Sequence, residues 1–394
     1  MQKKRIAVIG AGVLGLSVAR ALAIAGADVT IFERQHIGAG TSSTTFAWVN
    51  ANGKQPESYY QLNVAAMQEH VALQEQAQTE GQWLIRSGTY EWATDEQAKT
   101  RLEKRVTSLQ ALNYRTLLLT RAQITQRVPE IRLDPRADAF WHFPEECLLH
   151  PAILLAWLWS EARRCGAKLN NFADVVDIQE NEREVSLALS DSSCWQGDQL
   201  VIATGRWSQE LMACLDLKLA LIDASQANKI ACGFLAVTTP LFTQLSANLI
   251  SPQLNVRPDG GGRLLLQAPD LDYCANPAAP AAVQGYVGQE MLNRLRRLFD
   301  NCEFAKIERI AVGQRSRPAD GLPGIGYVTP HKRTYLMVTH SGMTLGPLLG
   351  RLVANEMLTG QRAELLSEFS PDRLLGKSAQ DFPAFSTLHF PAAQ

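Results

Sequence analysis

The feature that most constrains this chain is a glycine-rich turn between a short strand and a helix near the first residue. Residues 5–9 are apolar enough for a buried strand, and the segment GAGVLG (10–15) follows at once. Helical spacing over 16–25 then leads to a second predicted strand, 29–32, which ends at Glu33. A strand, a crossover helix and a second strand form a βαβ unit. The chain is therefore predicted to begin an α/β fold with a parallel sheet.

The spacing of these glycines is typical of a dinucleotide-binding turn. Gly10 permits the tight turn, Gly12 lets the backbone approach a pyrophosphate, and Gly15 allows the helix to pack closely on the strand. The helix N-terminus offers free N–H groups and a positive dipole to the anion. Glu33 follows Gly15 by 18 residues, close to the roughly 20 expected for a carboxylate that accepts a bond from a ribose hydroxyl. The motif leaves NAD and FAD open, and a purely structural βαβ unit is the alternative.

Composition excludes several classes of protein. The 394 residues exceed one typical core, which predicts two domains, and the 46% hydrophobic content supports a packed interior. A net charge of -1 disfavours binding to nucleic acid or to an anionic membrane. No apolar run reaches the roughly 18 residues that a membrane span needs, so we expect a cytoplasmic protein. The cysteines form no CxxC pair and the histidines no HxxxH pair, which disfavours disulfides and metal sites.

Periodicity and punctuation residues predict further elements along the chain. A run of small hydroxyl residues over 38–45 indicates a loop around the polar edges of a ligand. Helices are predicted over 57–78, from Pro151 to a stop at Gly166, over 285–299, and from Pro347 to 358 with Gly360 as the cap. Strands are predicted over 85–93, 175–178, 199–202 and 335–338.

Four separated segments, taken in order, resemble the D-amino acid oxidase family of flavoproteins over nearly the whole chain. They are residues 10–15 with Glu33, LVIATG (200–205), GQRSRPADGLP (313–323) and HSGMTLGP (340–347). The family includes glycine oxidase, monomeric sarcosine oxidase and D-amino acid dehydrogenase. The resemblance implies FAD as the cofactor. It also implies noncovalent attachment, because no cysteine lies near residues 314–315, where sarcosine oxidase-type enzymes carry one.

The resemblance implies, position by position, which residues hold the cofactor. Gly10, Gly12, Val13, Leu14 and Gly15 would cradle the pyrophosphate, and Glu33 and Arg34 would flank the adenosine. Thr41, Ser42, Ser43, Phe46 and Ala47 would run past the phosphates toward the flavin ring, Val175 would offer backbone groups to adenine, and Thr204 and Gly205 would close over the cofactor. Gly342, Met343, Thr344 and Leu345 would aim backbone N–H groups at the flavin pyrimidine edge.

The resemblance also implies substrate contacts. Arg315 matches the family arginine that clamps a substrate carboxylate, a task that suits its planar fork, and a surface residue is the alternative. That surface role is the favoured interpretation of Arg317. His340 is expected to shape or contact the flavin site rather than to act as a general base. Trp48 is expected to wall the substrate pocket and Asn50 to bond substrate or flavin, with loop packing as the alternative for both.

Two departures from the family pattern leave the electron acceptor open. The strand predicted over 263–267 has no lysine in its middle, where sarcosine oxidase-type enzymes place one over the flavin to speed oxygen reduction. The loop between His340 and Gly342 is shorter than in glycine oxidase-type enzymes and holds no second arginine. The acceptor is therefore oxygen, a quinone or another protein.

The sequence thus predicts a two-domain α/β (α+β) protein. A Rossmann FAD-binding domain of the glutathione-reductase type is expected from 1–82, 146–215 and 311–394, and a mixed-sheet substrate domain from 83–145 and 216–310. The implied reaction is oxidation of a carbon–nitrogen bond in a small amino acid or secondary amino acid, by hydride transfer to FAD, to an imine that hydrolyses. A dehydrogenase, or a subunit of one, that uses a quinone or protein acceptor and a catalytically silent flavin-binding subunit are the alternatives. The oligomeric state stays open.

Overall fold

A computed structural model of the protein describes residues 3–227, 231–279 and 281–383. Residues 384–394, which the sequence assigns to the cofactor domain, lie outside the described residues. The strands, in chain order, are β1 (Arg5–Ile9), β2 (Asp28–Glu33), β3 (Trp48–Val49), β4 (Leu84–Ile85), β5 (Thr89–Glu91), β6 (Leu117–Leu119), β7 (Phe140–Phe143), β8 (Cys147–Leu149), β9 (Lys168–Asn171), β10 (Val175–Glu180), β11 (Val185–Leu189), β12 (Cys194–Gly197), β13 (Gln199–Ile202), β14 (Cys232–Thr238), β15 (Asn248–Ile250), β16 (Asn255–Gly260), β17 (Arg263–Gln267), β18 (Ile307–Gln314), β19 (Gly324–Tyr327) and β20 (Thr334–Val338). The helices are α1 (Val13–Ile24), α2 (Glu57–Ala77), α3 (Glu96–Ala111), α4 (Arg121–Arg127), α5 (Pro151–Arg164), α6 (Ser208–Ala213), α7 (Tyr286–Leu298) and α8 (Gly342–Thr359).

The βαβ unit predicted at the start of the chain opens a sheet with the order β19-β20-β13-β1-β2-β9 in the described part of the chain. All its strands run parallel except β19, which pairs antiparallel with β20 at one edge. Helices α1, α5 and α8 pack together on one face. The small sheet β10-β11-β12 covers the other face, where Ile178 and Leu187 join the core of Ala7 and Leu200. Burial on both faces explains why β1 is a continuous apolar run after Arg5.

Helices α1 and α8 cross at close range because glycines of α8 face α1. A Cβ atom on Gly350 would lie 2.5 Å from the carbonyl oxygen of Ser17, and one on Gly346 would lie 2.8 Å from Val13 Cγ2. A Cβ atom on Gly342, the first residue of α8, would lie 3.2 Å from Val13 Cγ1. The first turns of the two helices are therefore held side by side.

Helix α8 begins at Gly342, well before Pro347, which the sequence predicts as its start. Pro347 lies inside the helix and lacks the N–H group that would bond to the carbonyl oxygen of Met343. His70 on α2 supplies the missing donor, because its Nε2 lies 2.8 Å from Met343 O. The predicted start was wrong, since the group that makes the proline tolerable comes from a distant segment. Helix α1 likewise begins at Val13 rather than at residue 16, with Gly12 as its N-cap.

The second large sheet has the order β18-β14-β17-β16-β15-β5-β7-β6 within the described ranges. It is a mixed sheet, because β5 and β15 run parallel and its other neighbouring strands run antiparallel. Helix α7 covers one face through Met291, Leu292 and Leu295, which share a core with the apolar residues of β14 to β17. The helices predicted over 57–78 and 285–299 agree with α2 and α7.

The single strand predicted over 85–93 is wrong, because this segment forms two strands in different sheets. β4 pairs with β8 in the three-stranded sheet β3-β8-β4, whereas β5 pairs with β7 and β15 in the second large sheet. Gly88 lies between them with φ +77°, a left-handed conformation that turns the chain from one sheet to the other.

The two large sheets fall almost entirely within the separate ranges that the sequence assigns to two domains. Of the strands in the second sheet, β18 crosses the predicted boundary at residue 310, whereas the first sheet lies within the cofactor ranges. The fold is the predicted mixed α/β arrangement, and its division into domains stays a prediction. Within the described ranges, none of the helices has both the length and the apolar character needed to cross a membrane.

Candidate cofactor and substrate site

A cavity of about 490 Å³ opens at the carboxyl ends of β1, β2 and β13, where the two large sheets meet. This edge of a parallel sheet is the usual ligand crevice of such folds, and the volume lies in the range of small-molecule sites. Gly15, Ser43 and Leu345 do not line it. The other residues predicted for the site do: Gly10, Gly12, Val13, Leu14, Glu33, Arg34, Thr41, Ser42, Phe46, Ala47, Trp48, Asn50, Val175, Thr204, Gly205, Arg315, His340, Gly342, Met343 and Thr344.

The β1–α1 turn has the bare backbone that a phosphate requires. Gly10 has φ +100°, and a Cβ atom there would lie 2.7 Å from the carbonyl oxygen of Ala203. Gly12 is the N-cap of α1 and provides no capping side chain, and the N–H of Val13 donates to Ser42 Oγ at 3.0 Å. Gly15 serves the turn from outside the cavity, because a Cβ atom there would lie 1.9 Å from the carbonyl oxygen of Gly10.

The residues predicted to flank the adenosine lie at one end of the cavity. The Glu33 carboxylate accepts bonds from the backbone N–H groups of Ala11 at 2.7 Å and Gln35 at 2.8 Å. Arg34 lies 3.8 Å from a Glu210 oxygen and stacks over the Trp207 ring at 4.6 Å. Val175, the first residue of β10, forms part of the same wall.

The hydroxyl-rich loop after β2 is tied to the second sheet. Thr41 Oγ1 donates to the carbonyl oxygen of Gln314 at the end of β18. Ser43 instead donates to the carbonyl oxygen of Gly40 at 3.2 Å and so stabilises the loop itself. Phe46 and Ala47 line the cavity, and Ala47 has φ +52°, a left-handed conformation.

The segment after β13 closes the cavity from another side. Thr204 Oγ1 lies 3.2 Å from Ser208 Oγ, and Gly205 has φ +60° at the start of a short 3-10 helix.

The first turn of α8 points toward the cavity. Ser341 is its N-cap without a capping side-chain bond, and the residues after it, Gly342 to Thr344, line the wall. The N–H groups of a first helical turn have no partner within the helix, so they favour a negatively charged group. Leu345 differs, because its N–H donates to Ser341 O at 3.0 Å and its side chain is buried away from the cavity.

His340 lies on the cavity wall just before α8. Its ring centre is 6.3 Å from that of Tyr59, and Tyr59 Oη lies 2.7 Å from Ser341 Oγ. Tyr59 belongs to α2, the helix whose His70 bonds Met343 O, so α2 supports the loop before α8 and the first turn of α8 together. Burial lowers the pKa of His70 to about 4, so this histidine is neutral near pH 7.

Arg315 follows β18 and is half-buried on the cavity wall. Burial lowers its pKa, and the negative charge of Asp272 opposes that shift. Burial raises the pKa of Asp272 to about 7, against the opposing effects of Arg315 and of the Phe234 N–H, which donates to Asp272 Oδ1 at 2.8 Å. The arginine that the sequence assigns to a substrate carboxylate therefore already faces one carboxyl group of the protein.

The surface role predicted for Arg317 is wrong. Arg317 is only 7% exposed and does not line the cavity. Burial and the charge of Arg315 lower its pKa to about 10. The Arg-Ser-Arg pattern places one arginine at the cavity and buries the other behind it.

Trp48, the first residue of β3, and Asn50, just after this strand, lie on the cavity wall. Trp48 Nε1 donates to Glu146 Oε2 at 2.7 Å, which fixes the indole plane. Asn50 Nδ2 donates to Trp48 O at 3.3 Å, and its Oδ1 accepts from the N–H of Asn52 at 3.1 Å. Glu146 is fully buried, and burial raises its pKa to about 7.

Three buried ionisable side chains near the cavity were not predicted from the sequence: Lys54, Glu146 and Asp272. Lys54 lines the wall, and its position four residues after Asn50 is the one signal that could have drawn attention to it. Glu146 and Asp272 carry no spacing signal, because segments far away in the chain bury them.

These features fit an elongated dinucleotide with a flavin at one end. Two helix N-termini without side-chain caps face one cavity, and a glycine cradle that a Cβ atom would fill lies at one of them. Residues of the β1–α1 turn would hold the pyrophosphate, and the first turn of α8 would face the ring.

Comparison with known proteins gives the same result. Glycine oxidase of Geobacillus kaustophilus (strain HTA426) is 25% identical over 380 residues, which are 94% of this chain and 97% of that protein. The solved structure of glycine oxidase from Geobacillus kaustophilus has a TM-score of 0.82 at 23% identity and covers 95% of this chain and 100% of its own. L-proline dehydrogenase from P. horikoshii shares the fold with a TM-score of 0.79 at 18% identity, covering 94% of this chain and 98% of its own. The family model described as FAD dependent oxidoreductase (DAO) matches residues 5–356. The chain therefore belongs to the DAO family of FAD dependent oxidoreductases, and its cofactor is FAD.

Proposed function

We propose that this protein oxidises a carbon–nitrogen bond in a small amino acid or secondary amino acid. When bound, FAD supplies the hydride acceptor. Loss of a hydride from the carbon next to a neutral amine leaves an iminium ion, which water hydrolyses to a carbonyl compound and ammonium, or a protonated amine when the substrate is a secondary amine. The similarity to glycine oxidase over nearly the whole chain supports an amino acid as the substrate.

The observation that carries this proposal is the placement of Arg315 on the wall of the cavity that the first turn of α8 also faces. An arginine in a half-buried wall binds a carboxylate through two parallel charge-assisted bonds. Such a clamp would fix the substrate carbon relative to the flavin ring, and hydride transfer depends mainly on that positioning. Trp48, held by Glu146, would limit the space beside the substrate.

A second candidate is a dehydrogenase that passes electrons to a quinone or a protein. The middle of β17 holds only leucines, with no lysine to favour oxygen reduction, and L-proline dehydrogenase is among the proteins that share the fold. Slow peroxide formation together with fast reduction of an artificial dye would favour this acceptor over oxygen.

Arg315→Ala tests the carboxylate clamp. Because removing one partner of a buried charge pair costs about 2–5 kcal/mol, kcat/KM for an amino acid should fall by roughly 30-fold or more. Substrates are first found by anaerobic titration of the FAD-loaded protein with D- and L-amino acids, proline-like rings and N-methylglycine. Arg309→Ala, on the exposed part of β18, is the matched control and should leave kcat/KM within about twofold. Equal kinetics for Arg315→Ala and the wild type would reject the clamp.

A further inference from the structure

Lys54 is a second buried cation on the wall of the cavity that holds Arg315. It lies in the loop between β3 and α2 and is 7% exposed. Its Nζ lies 5.9 Å from the centre of the Tyr59 ring, and Tyr59 bonds to Ser341 just before α8. The ammonium group therefore lies at the end of the cavity that the loop before α8 bounds.

Arg315 reaches the same end from the second sheet. Ser316 Oγ donates to the carbonyl oxygen of Thr339 at 3.0 Å, which joins the end of β18 to that loop. Burial, together with the charges of Arg317 and Arg315, lowers the pKa of Lys54 to about 8, against the effect of Glu146. The two cavity cations are thus close enough to repel each other.

Near neutral pH, the described carboxyl groups beside the two cavity cations balance their charge only in part. Asp272 near Arg315 and Glu146 near Lys54 each have a pKa raised to about 7, chiefly by burial. Neither carboxyl group is therefore fully ionised there. A substrate with one carboxylate would bind the guanidinium group of Arg315 through it and would bring no anionic group to Lys54.

We propose that Arg315 and Lys54 bind different carboxylate groups of one substrate, which is an amino acid or secondary amine with two acidic groups. This inference rests on the proposed oxidation of a carbon–nitrogen bond in this cavity. Arg315 holds the carboxylate next to the reacting carbon. Lys54 holds the carboxylate of the side chain or of the nitrogen substituent. The enzyme would then select substrates by charge. A substrate with a neutral group in place of its second carboxylate would cover the charged Lys54 side chain without giving it an anionic contact.

Amines that differ only in one charge test this inference in the FAD-loaded enzyme. The pairs are aspartate with asparagine and glutamate with glutamine, in both chiral forms, and N-carboxymethylglycine with its monoamide. Anaerobic flavin reduction gives a dissociation constant for each compound. At pH 7 the dicarboxylate of at least one pair should bind about 30-fold more tightly than its amide. Equal binding within every pair would overturn the inference.

Lys54→Met should reduce this preference to less than about threefold, whereas Lys54→Arg should keep most of it. Lys168→Met is the matched control, because Lys168 is exposed on β9 and lies outside the cavity wall. Succinate and succinamate give a readout without oxidation, through the change in flavin absorbance on binding. The flavin content of each variant is measured first. An undiminished preference in Lys54→Met would contradict the role of this lysine.

The failure of this inference differs from the failure of the proposed function. If amines reduce the flavin but no dicarboxylate is preferred, the inference is overturned and the oxidation stands. If no amine reduces the flavin while succinate binds more tightly than succinamate, the two-carboxylate ligand is supported and its oxidation is overturned. If Lys54→Met slows only the reaction of the reduced enzyme with oxygen and keeps the preference, Lys54 acts on the electron acceptor and the inference is overturned.

Discussion

At the residue scale, the proposed carboxylate clamp predicts that Asp272 competes with the substrate for the charge of Arg315. Its pKa is raised to about 7 by burial, so it is neutral at lower pH and becomes ionised above it. An ionised Asp272 offsets the charge of Arg315. The dissociation constant of propanoate, which cannot be oxidised, should therefore rise about tenfold between pH 6 and pH 8.5. Spectral titration of the FAD-loaded enzyme measures it.

Asp272→Asn should reduce this pH dependence to the part caused by Lys54 and Glu146, because the amide keeps the acceptor for the Phe234 N–H but carries no charge. Asp138→Asn is the matched control, since Asp138 is exposed and pairs with Lys99. The groups that face Asp272 are Arg315, the Phe234 N–H and Asp270. Asp272→Asn should also reduce, by the share of Asp272, a loss of stability as pH rises from about 4 to about 7, because an acid with a raised folded pKa opposes folding once ionised; Glu146, whose pKa is also raised to about 7, accounts for the rest. An undiminished pH dependence in Asp272→Asn would assign it to another group.

At the scale of elements, the contact between α1 and α8 depends on Gly350. A larger side chain there would collide with the backbone of Ser17, so Gly350→Val should lower the free energy of unfolding by about 2–3 kcal/mol. Affinity for FAD should also fall, because the first turns of both helices face the cavity. Urea denaturation and flavin titration measure the two effects. Asn355→Val, on the exposed face of the same helix, controls for the helix propensity of valine. Equal loss in both variants would exclude a role for the close contact.

Elements with local signals could be predicted from the sequence, and elements shaped by remote contacts could not. β1 is predicted with its observed bounds, because its apolar run and the glycines after it are adjacent in the chain. The start of α8 could not be predicted, because His70, which bonds to the carbonyl oxygen left without the Pro347 N–H, comes from a distant segment. The alternation of apolar and polar residues over 85–93 is a local signal for one strand. The turn at Gly88 nevertheless divides this segment into β4 and β5, which lie in different sheets.

The residues of the candidate site also fall into two groups, those with a local sequence signal and those without one. Gly10, Gly12 and the segment 342–344 carry a sequence signal, because backbone groups that bind phosphate or flavin require a fixed spacing. Lys54 and Asp272 carry none. Their chemical importance comes from burial, and burial depends on segments that approach only in the folded chain.

At the scale of the whole molecule, the cavity wall contains residues of both large sheets, so FAD should stabilise the fold as a unit. Free FAD at 100 times its dissociation constant should raise the free energy of unfolding of the apoprotein by about 2.7 kcal/mol. Riboflavin, which lacks the pyrophosphate and the adenosine, is the control and should stabilise much less at the same concentration. Thermal and urea unfolding measure both. An equal effect of the two compounds would contradict phosphate binding at the β1–α1 turn.

The three acid–base groups at the substrate end limit the conditions under which turnover is fast. In mild acid Lys54 carries its proton and both Asp272 and Glu146 are neutral, whereas in mild alkali all three have lost a proton. The positive charge at this end of the cavity therefore falls as the pH rises through neutrality, and the proposed attraction of acidic substrates should weaken. Hydride loss needs an unprotonated amine, which becomes more abundant on the alkaline side. The proposed oxidation should therefore be fastest in a narrow pH interval that the residues of the cavity themselves set.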